Sequence, residues 1–84
     1  MKYYYITFRS VTFAQKGERI LKGAGLDTVI QRTPKELSQR GCGYCLRVRP
    51  AEAMTAVELL QDAGLKYSRV YAVRSDGSIE DRQL

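Results

Sequence analysis

The sequence contains no histidine, and only two of its 84 residues are cysteines. Without histidine, the chain lacks the usual general base near neutral pH and the commonest protein ligand for metal ions. Two cysteines do not make a disulfide scaffold, and a single Cys-x-x-Cys pair supplies too few ligands for a structural zinc ion unless two chains share it. We therefore expect no resident metal ion and no cofactor.

Long apolar runs are also missing. No stretch approaches the roughly 20 apolar residues that a membrane-spanning helix needs, so we expect no membrane partner. The first residues, MKYYYITF, carry one basic side chain and no small-residue cleavage site, unlike a secretory signal peptide. We expect a cytoplasmic protein, because its 44% hydrophobic and 27% charged residues are also ordinary for one small globular domain.

The charge is unevenly distributed along the chain. Residues 1–50 carry ten Lys/Arg and three Asp/Glu, a balance of +7, whereas residues 51–84 carry four and six, a balance of −2. A basic half suits anionic partners such as nucleic acid or phosphate. It equally suits a solvated surface whose charge keeps the protein soluble. The charge alone leaves both interpretations open.

Alternating β-favouring residues predict four strands, and apolar residues at helical spacing predict two helices. The strands are expected over 2–8, 28–32, 44–49 and 67–74, and the helices over 10–24 and 50–63. Ser10 is expected as the N-cap of the first helix, and Pro50 as the first residue of the second. Gly25 and Gly64 should end the helices, within the segments ILKGAGL (20–26) and LLQDAGL (59–65), which repeat at a constant offset.

This order of elements predicts an α+β fold, a ferredoxin-like βαββαβ two-layer sandwich with an antiparallel sheet of order 4-1-3-2. Residues 1–75 would form the domain and residues 76–84 a polar C-terminal tail. Both helices should cover one face of the sheet and leave the other face open. The helical positions expected in the core are Val11, Phe13, Ala14, Gly17, Glu18 (its stem), Ile20, Leu21, Ala24, Ala53, Met54, Val57 and Leu60.

The predicted connection between strands 2 and 3, residues 33–43, is long for a hairpin, whose loop usually has two to five residues. Gly41 and Gly43 flank Cys42 and leave its thiol unshielded. Because strand 3 runs antiparallel to strand 1, Cys42 is expected beside Arg9 and Ser10, at the N-terminus of the first helix. Partial positive charge there favours a nucleophilic thiolate. The other residues expected to support this sulfur are Pro34, Lys35, Ser38 and Arg40.

The second cysteine, Cys45, is expected inside strand 3, with Arg47 and Arg49 on its face. Tyr44, Leu46 and Val48 are expected on the other face. If residues 42–45 are extended, the two cysteine Cα atoms lie about 10 Å apart. A disulfide needs about 4.4–6.8 Å, so it requires strand 3 to begin later than predicted. Cys45 is therefore either a small strand residue or a second working thiol, and the spacing does not decide between them.

The segment TPKELSQRGCGYCLRV (33–48) and the opening strand ending in ITFRS resemble the family described as putative selenium/sulfur carrier protein-like. The most specific part is the run of proline, basic residue, acidic residue, leucine and serine, followed by Cys-Gly. The resemblance implies that Cys42 accepts and hands on sulfur or selenium as a persulfide-type adduct, and that Cys45 is an accessory thiol. It also implies donor and acceptor proteins as partners, and a carrier or accessory role rather than that of a stand-alone enzyme.

Other functions stay open beside this one. RGCGY (40–44) partly matches the third-strand motif of RNA-recognition domains, but a cysteine replaces the first stacking aromatic residue and strand parity turns Tyr44 towards the helices. Tyr3 and Tyr5 on the open face are candidates for stacking nucleic-acid bases or for burial in a homodimer. A thiol-redox role of the two cysteines is the remaining alternative.

Overall fold

The computed structural model describes residues 3–35 and 43–82, which form two helices packed on one face of a five-stranded antiparallel sheet. The strands are β1 (Tyr3–Phe8), β2 (Thr28–Arg32), β3 (Tyr44–Val48), β4 (Arg69–Val73) and β5 (Ile79–Arg82). The helices are α1 (Val11–Gly23) and α2 (Ala53–Asp62), and a 3-10 turn (Pro50–Glu52) leads into α2. The α+β class and the antiparallel sheet are confirmed.

Residue parity divides the sheet into two faces. The even-numbered strand residues form the covered face, which packs against the helices. Its apolar members join the inner sides of the helices in one buried core, which includes Tyr4, Ile6, Phe8, Ala14, Leu21, Leu46, Val48, Val57, Leu60, Val70 and Ala72. The odd-numbered strand residues form the open face, which neither helix covers.

Gly17 lets α1 approach the covered face closely. A Cβ atom at this position would lie 3.0 Å from Leu46 Cδ1 and 3.1 Å from Phe8 Cζ, closer than carbon atoms pack favourably. The side chains of β1 and β3 therefore occupy the space that a larger residue would need. This contact holds α1 over the two central strands and so fixes where its N-terminus lies.

The two helices end in the same way, at the Ala-Gly-Leu of each repeated segment. The glycine has a positive φ in both cases, 84° at Gly25 and 71° at Gly64. The leucine that follows each glycine donates its backbone N–H to the carbonyl oxygen five residues earlier, at 3.0 Å, which is the Schellman motif. The predicted helix ends are confirmed, and so is Ser10 as the N-cap of α1.

The predicted four-stranded ferredoxin-like sheet of order 4-1-3-2 must be corrected, because the observed order is β2-β3-β1-β4-β5. The pairings of β1 with β3 and β4, and of β2 with β3, are present, and β5 adds beyond β4. It forms within 76–84, for which the sequence predicts a polar tail. Ser78 N donates to Asp76 Oδ1 at 2.9 Å in the turn, and Arg69 pairs with Asp81 at 2.7 Å across the strands. Polar contacts hold this strand, which is why apolar alternation does not reveal it.

Four residues predicted in the core are exposed instead, and one of them is Ala24, the C-cap of α1. Val11 and Phe13 have exposed fractions of 38% and 42%, because the buried stripe of α1 begins only at Ala14. Met54 is 59% exposed. The buried stripe of α2 runs through Ala53, Ala56, Val57 and Leu60, which leaves Met54 on the outer side of the helix.

Candidate functional site

Four of the ten residues predicted for the site lie outside the described part of the chain. These four are Ser38, Arg40, Gly41 and Cys42, so the placement of Cys42 beside the first helix stays a prediction. The structure describes the other six, Arg9, Ser10, Pro34, Lys35, Gly43 and Cys45. The described residues define both ends of the connection on which Cys42 lies.

Three strand ends meet where that connection leaves the sheet. Phe8, the last residue of β1, pairs with Tyr44, the first residue of β3. Tyr44 pairs in turn with Arg32, the last residue of β2, whose guanidinium carbon lies 5.8 Å from the centre of the tyrosine ring. The end of β1 and the start of β3 therefore lie side by side, as the sequence predicts.

The connection begins and ends on paired backbone. Thr33 N donates to Gly43 O at 3.1 Å, which continues the β2–β3 ladder beyond the two strands. Gly43, which follows Cys42 in the chain, is exposed, as is Lys35, while Pro34 is half-buried. Gly43, the first described residue after Cys42, is thus exposed at the same end of the strands as the start of α1.

The N-terminus of α1 is the electrostatically positive feature at this end of the strands. Ser10 Oγ accepts a hydrogen bond from Phe13 N at 3.2 Å. The backbone N–H groups of Val11 and Thr12 have no acceptor among the described residues, and the first turn contains no acidic side chain. Arg9 is exposed just before the helix. This end of α1 therefore favours an anion.

Cys45 lies on the open face and is nevertheless completely buried, with an exposed fraction of 0%. Burial raises the pKa of its thiol from 9.0 to about 11, against weaker opposing effects of the Thr33 hydroxyl and the charge of Arg47. Thr33 Oγ1 makes no hydrogen bond of ordinary geometry in the described chain, so burial decides the direction. In this state Cys45 is a neutral thiol at neutral pH and a poor nucleophile.

Thr7 pairs with Cys45 across β1 and β3 and is buried as well. Its hydroxyl oxygen accepts from Arg69 N at 3.1 Å and donates to Arg69 O at 3.3 Å, while Thr7 O accepts from Ser68 N at 2.7 Å. These bonds close the end of the β1–β4 ladder. Strand parity predicts that Thr7 and Cys45 share a face, but the sequence carries no signal that this part of the open face is buried.

Aromatic and basic side chains cross the middle of the open face. Tyr5, on the central strand, pairs with Arg47 of β3 on one side and with Tyr71 of β4 on the other. The Arg47 guanidinium lies 4.5 Å from the centre of the Tyr3 ring. The parity prediction for Tyr3 and Tyr5 is consistent with this arrangement, whereas Tyr71 is an addition that the sequence analysis missed.

Two further ion pairs lie beside this row. Arg69 bonds to Asp81 at 2.7 Å, and Arg49 bonds to Asp27 at 2.6 Å. Arg47, by contrast, has no carboxylate partner within the described chain. The positive charge of the open face is therefore largely compensated by its own carboxylates.

Residues 3–35 and 43–82 contain neither an arrangement typical of a metal site nor a membrane-spanning helix. No group of three or more Cys, Asp or Glu side chains is placed there to hold a metal ion. No helix in that part of the chain is both long enough and apolar enough to cross a membrane. Cys42 lies outside this range, so neither finding describes its surroundings.

Comparison with known proteins places most of the sequence in one family. The model of the family described as "Putative Se/S carrier protein-like" matches residues 3–72, a range that contains both cysteines and both helices. No curated protein and no solved structure matches the chain.

Proposed function

The chain belongs to the family described as Putative Se/S carrier protein-like, and from that premise we propose that Cys42 carries sulfur or selenium between proteins. A donor protein supplies the atom as a persulfide or its selenium analogue, and an acceptor protein takes it from Cys42. The chain itself contributes one nucleophilic sulfur and the surface that presents it.

One observation carries the assignment to Cys42, namely the burial of the other cysteine. Cys45 has no exposed surface, and its pKa is raised to about 11. Sulfur transfer requires a thiolate that a partner can reach, and Cys45 offers neither the charge nor the access. Because the sequence has two cysteines, the proposal gives the working thiol to Cys42.

The transfer step needs no oxidant or reductant. The Cys42 thiolate attacks the outer sulfur of a donor persulfide, R–S–SH, and forms a new S–S bond. The bond between the two donor sulfurs breaks, and the donor leaves as the thiolate R–S⁻. The product is Cys42–S–SH, the outer sulfur keeps its oxidation state, and selenium in the outer position follows the same course.

The described ends of the connection support a thiolate at this position. Gly43 is exposed at the start of β3, beside the end of β1 from which the chain enters α1. The N–H groups of Val11 and Thr12, which have no acceptor among the described residues, and the exposed Arg9 supply positive charge there. Positive charge of this kind lowers the pKa of a nearby thiol, so we propose that Cys42 is partly thiolate at neutral pH.

The proposal extends to the compartment and to the role of Cys45. A carrier thiol must stay reduced, which fits the cytoplasm. Cys45 acts as a structural residue of β3 while the strand is paired. A dithiol redox cycle fits less well, because Cys45 is fully buried in a paired strand and its raised pKa keeps it protonated at neutral pH.

Loading with glutathione persulfide, followed by mass spectrometry of the intact protein and its peptides, tests the proposal. The full-length chain should gain the mass of one sulfur atom on the peptide that contains Cys42. Cys42→Ser should lose the adduct, while the matched variant Cys45→Ala should keep it. Transfer to a second thiol should then remove the added mass without any added reductant.

Two results would contradict the proposal. An adduct that survives in Cys42→Ser and disappears in Cys45→Ala would assign the reaction to the buried cysteine. A Cys42 that is alkylated no faster than a cysteine in an unstructured peptide, across neutral pH, would remove the activated thiolate on which the proposal depends.

A further inference from the structure

We propose that the open face of the sheet binds the open face of a second copy of this chain, in a twofold-symmetric dimer. The inference concerns Tyr5, Arg47 and Tyr71 and goes beyond the carrier function, because none of its steps involves Cys42. It follows from the symmetry of the side chains on the open face, from their charge and from the exposed apolar residues at its edges.

The open face is complementary to itself. Tyr5 lies on the central strand, with Arg47 beside it on β3 and Tyr71 beside it on β4. A twofold axis along β1 sets the two copies of Tyr5 against each other and exchanges the two sides. Arg47 of each copy then faces Tyr71 of the other, and a guanidinium over an aromatic ring is an attractive contact. A single axis thus generates two equal contacts, as an isologous interface requires.

The charges of the open face favour a protein over a nucleic acid. Arg69 and Arg49 are each paired with a carboxylate of the same chain, so they enter an interface already neutralised. Arg47 lacks a carboxylate within the described chain, and its guanidinium lies 4.5 Å from the centre of the Tyr3 ring of the same chain, so one face of it is already covered by an aromatic ring. Nucleic-acid affinity depends on several cations that are free to replace phosphate counterions. A symmetric dimer needs only one such cation per chain, because Arg47 of each copy faces Tyr71 of the other.

The edges of the open face carry exposed apolar side chains. Val29 on β2 and Ile79 on β5 have exposed fractions of 43% and 39% on this face. Two sheets stacked face to face cover such edge residues and the tyrosines between them, and aromatic residues and arginine are typical of interface cores.

The molar mass in solution tests the proposal. The chain should be measured by sedimentation equilibrium and by light scattering on a sizing column, with a reductant and in the Cys42→Ser variant, so that no intermolecular disulfide contributes. We expect a concentration-dependent shift from the chain mass of 9.5 kDa to twice that value. A mass that stays at one chain up to high micromolar concentration would overturn the proposal.

Three variants test the arrangement rather than the mass alone. Tyr71→Arg sets arginine against Arg47 of the other copy and should raise the dimer dissociation constant at least about tenfold. The exchange variant, Arg47→Tyr with Tyr71→Arg, restores both contacts and should recover dimerisation. Met54→Arg adds the same charge on the outer side of α2, where the residue is 59% exposed, and should change nothing.

Each variant is first shown to be folded by circular dichroism and a cooperative thermal transition. A folded Tyr71→Arg that dimerises like the unchanged chain, or a folded exchange variant that stays monomeric, would overturn the twofold arrangement. A monomeric chain that binds a single-stranded oligouridine, with a strong dependence on salt, would give the open face to nucleic acid instead.

Discussion

The two faces of the sheet are built from alternate residues of the same strands, yet their side chains are held in different ways. On the covered face, apolar residues such as Ile6 and Phe8 are almost fully buried and pack against a helix that approaches closely at Gly17. On the open face, contacts between neighbouring strands are polar or aromatic, as at Arg69–Asp81 and Arg47–Tyr3. Stability is therefore expected to come from one face, which leaves the other free for recognition.

Cys45 and Thr7 are the exceptions that sharpen this contrast. They lie on the open face but are as buried as the core. Thr7 satisfies its hydroxyl with the backbone of Arg69, whereas Cys45 responds to burial by keeping its proton. Cys45 is thus held as a protonated thiol inside a paired strand, and the proposed function assigns the transfer chemistry to Cys42.

The largest expected effect comes from removing a side chain on the covered face. Phe8→Ala should lower the free energy of unfolding by about 3–5 kcal/mol, since it empties the space between β1 and α1. Val29→Ala on the open face should lower it by less than about 1 kcal/mol, because Val29 is already 43% exposed. Urea unfolding of both variants checks the difference. Equal losses would mean that the open face contributes to the core.

An effect of intermediate size is expected from the proton on Cys45. The folded state holds this proton up to a pKa of about 11, whereas the unfolded chain releases it near 9.0. The folded state therefore binds more protons between these values, so the stability is fully present below pH 9.0 and is lost as the pH rises towards 11. The loss amounts to about 2–3 kcal/mol for two pKa units.

Comparison with Cys45→Ala isolates the effect of this thiol from every other change with pH. Urea unfolding of both proteins across this range of pH should show the steeper decline only in the chain that keeps Cys45. Parallel declines would mean that the thiol ionises as easily in the folded chain as in the unfolded one. They would also remove the main argument for an inactive second cysteine.

The sequence predicts the repeated parts of this fold well. The Ala-Gly-Leu segments give both helix ends, because only glycine takes a positive φ there without strain. Strand parity gives the covered face, since Tyr4, Leu46 and Val48 carry the apolar alternation. These features depend on residues that are close together in the sequence, so the spacing of residue types is enough to predict them.

Features that depend on distant partners escape the sequence. β5 is a strand because Asp81 meets Arg69 and Glu80 meets Arg74 across a tight turn, and neither pair shows in hydrophobic alternation. Helical period alone assigns Val11 to the core but does not tell where along the helix the buried stripe begins. The burial of Cys45 is likewise not visible in the strand pattern, so the sequence identifies the thiol without its protonation state.

The smallest expected effect concerns the ion pair on the open face, and it tests whether that face is open in the single chain. Asp81→Asn, measured at low concentration, should lower the free energy of unfolding by less than about 1 kcal/mol, because both partners of the Arg69–Asp81 pair are partly exposed. Added salt should reduce the difference further.

Glu58→Gln, which removes one exposed negative charge from α2, serves as the control. A loss of about 3 kcal/mol or more, typical of a broken buried pair, would mean that the pair is shielded from water within one chain. The two faces would then differ in the chemistry of their side chains, and no longer in how far those side chains are exposed to water.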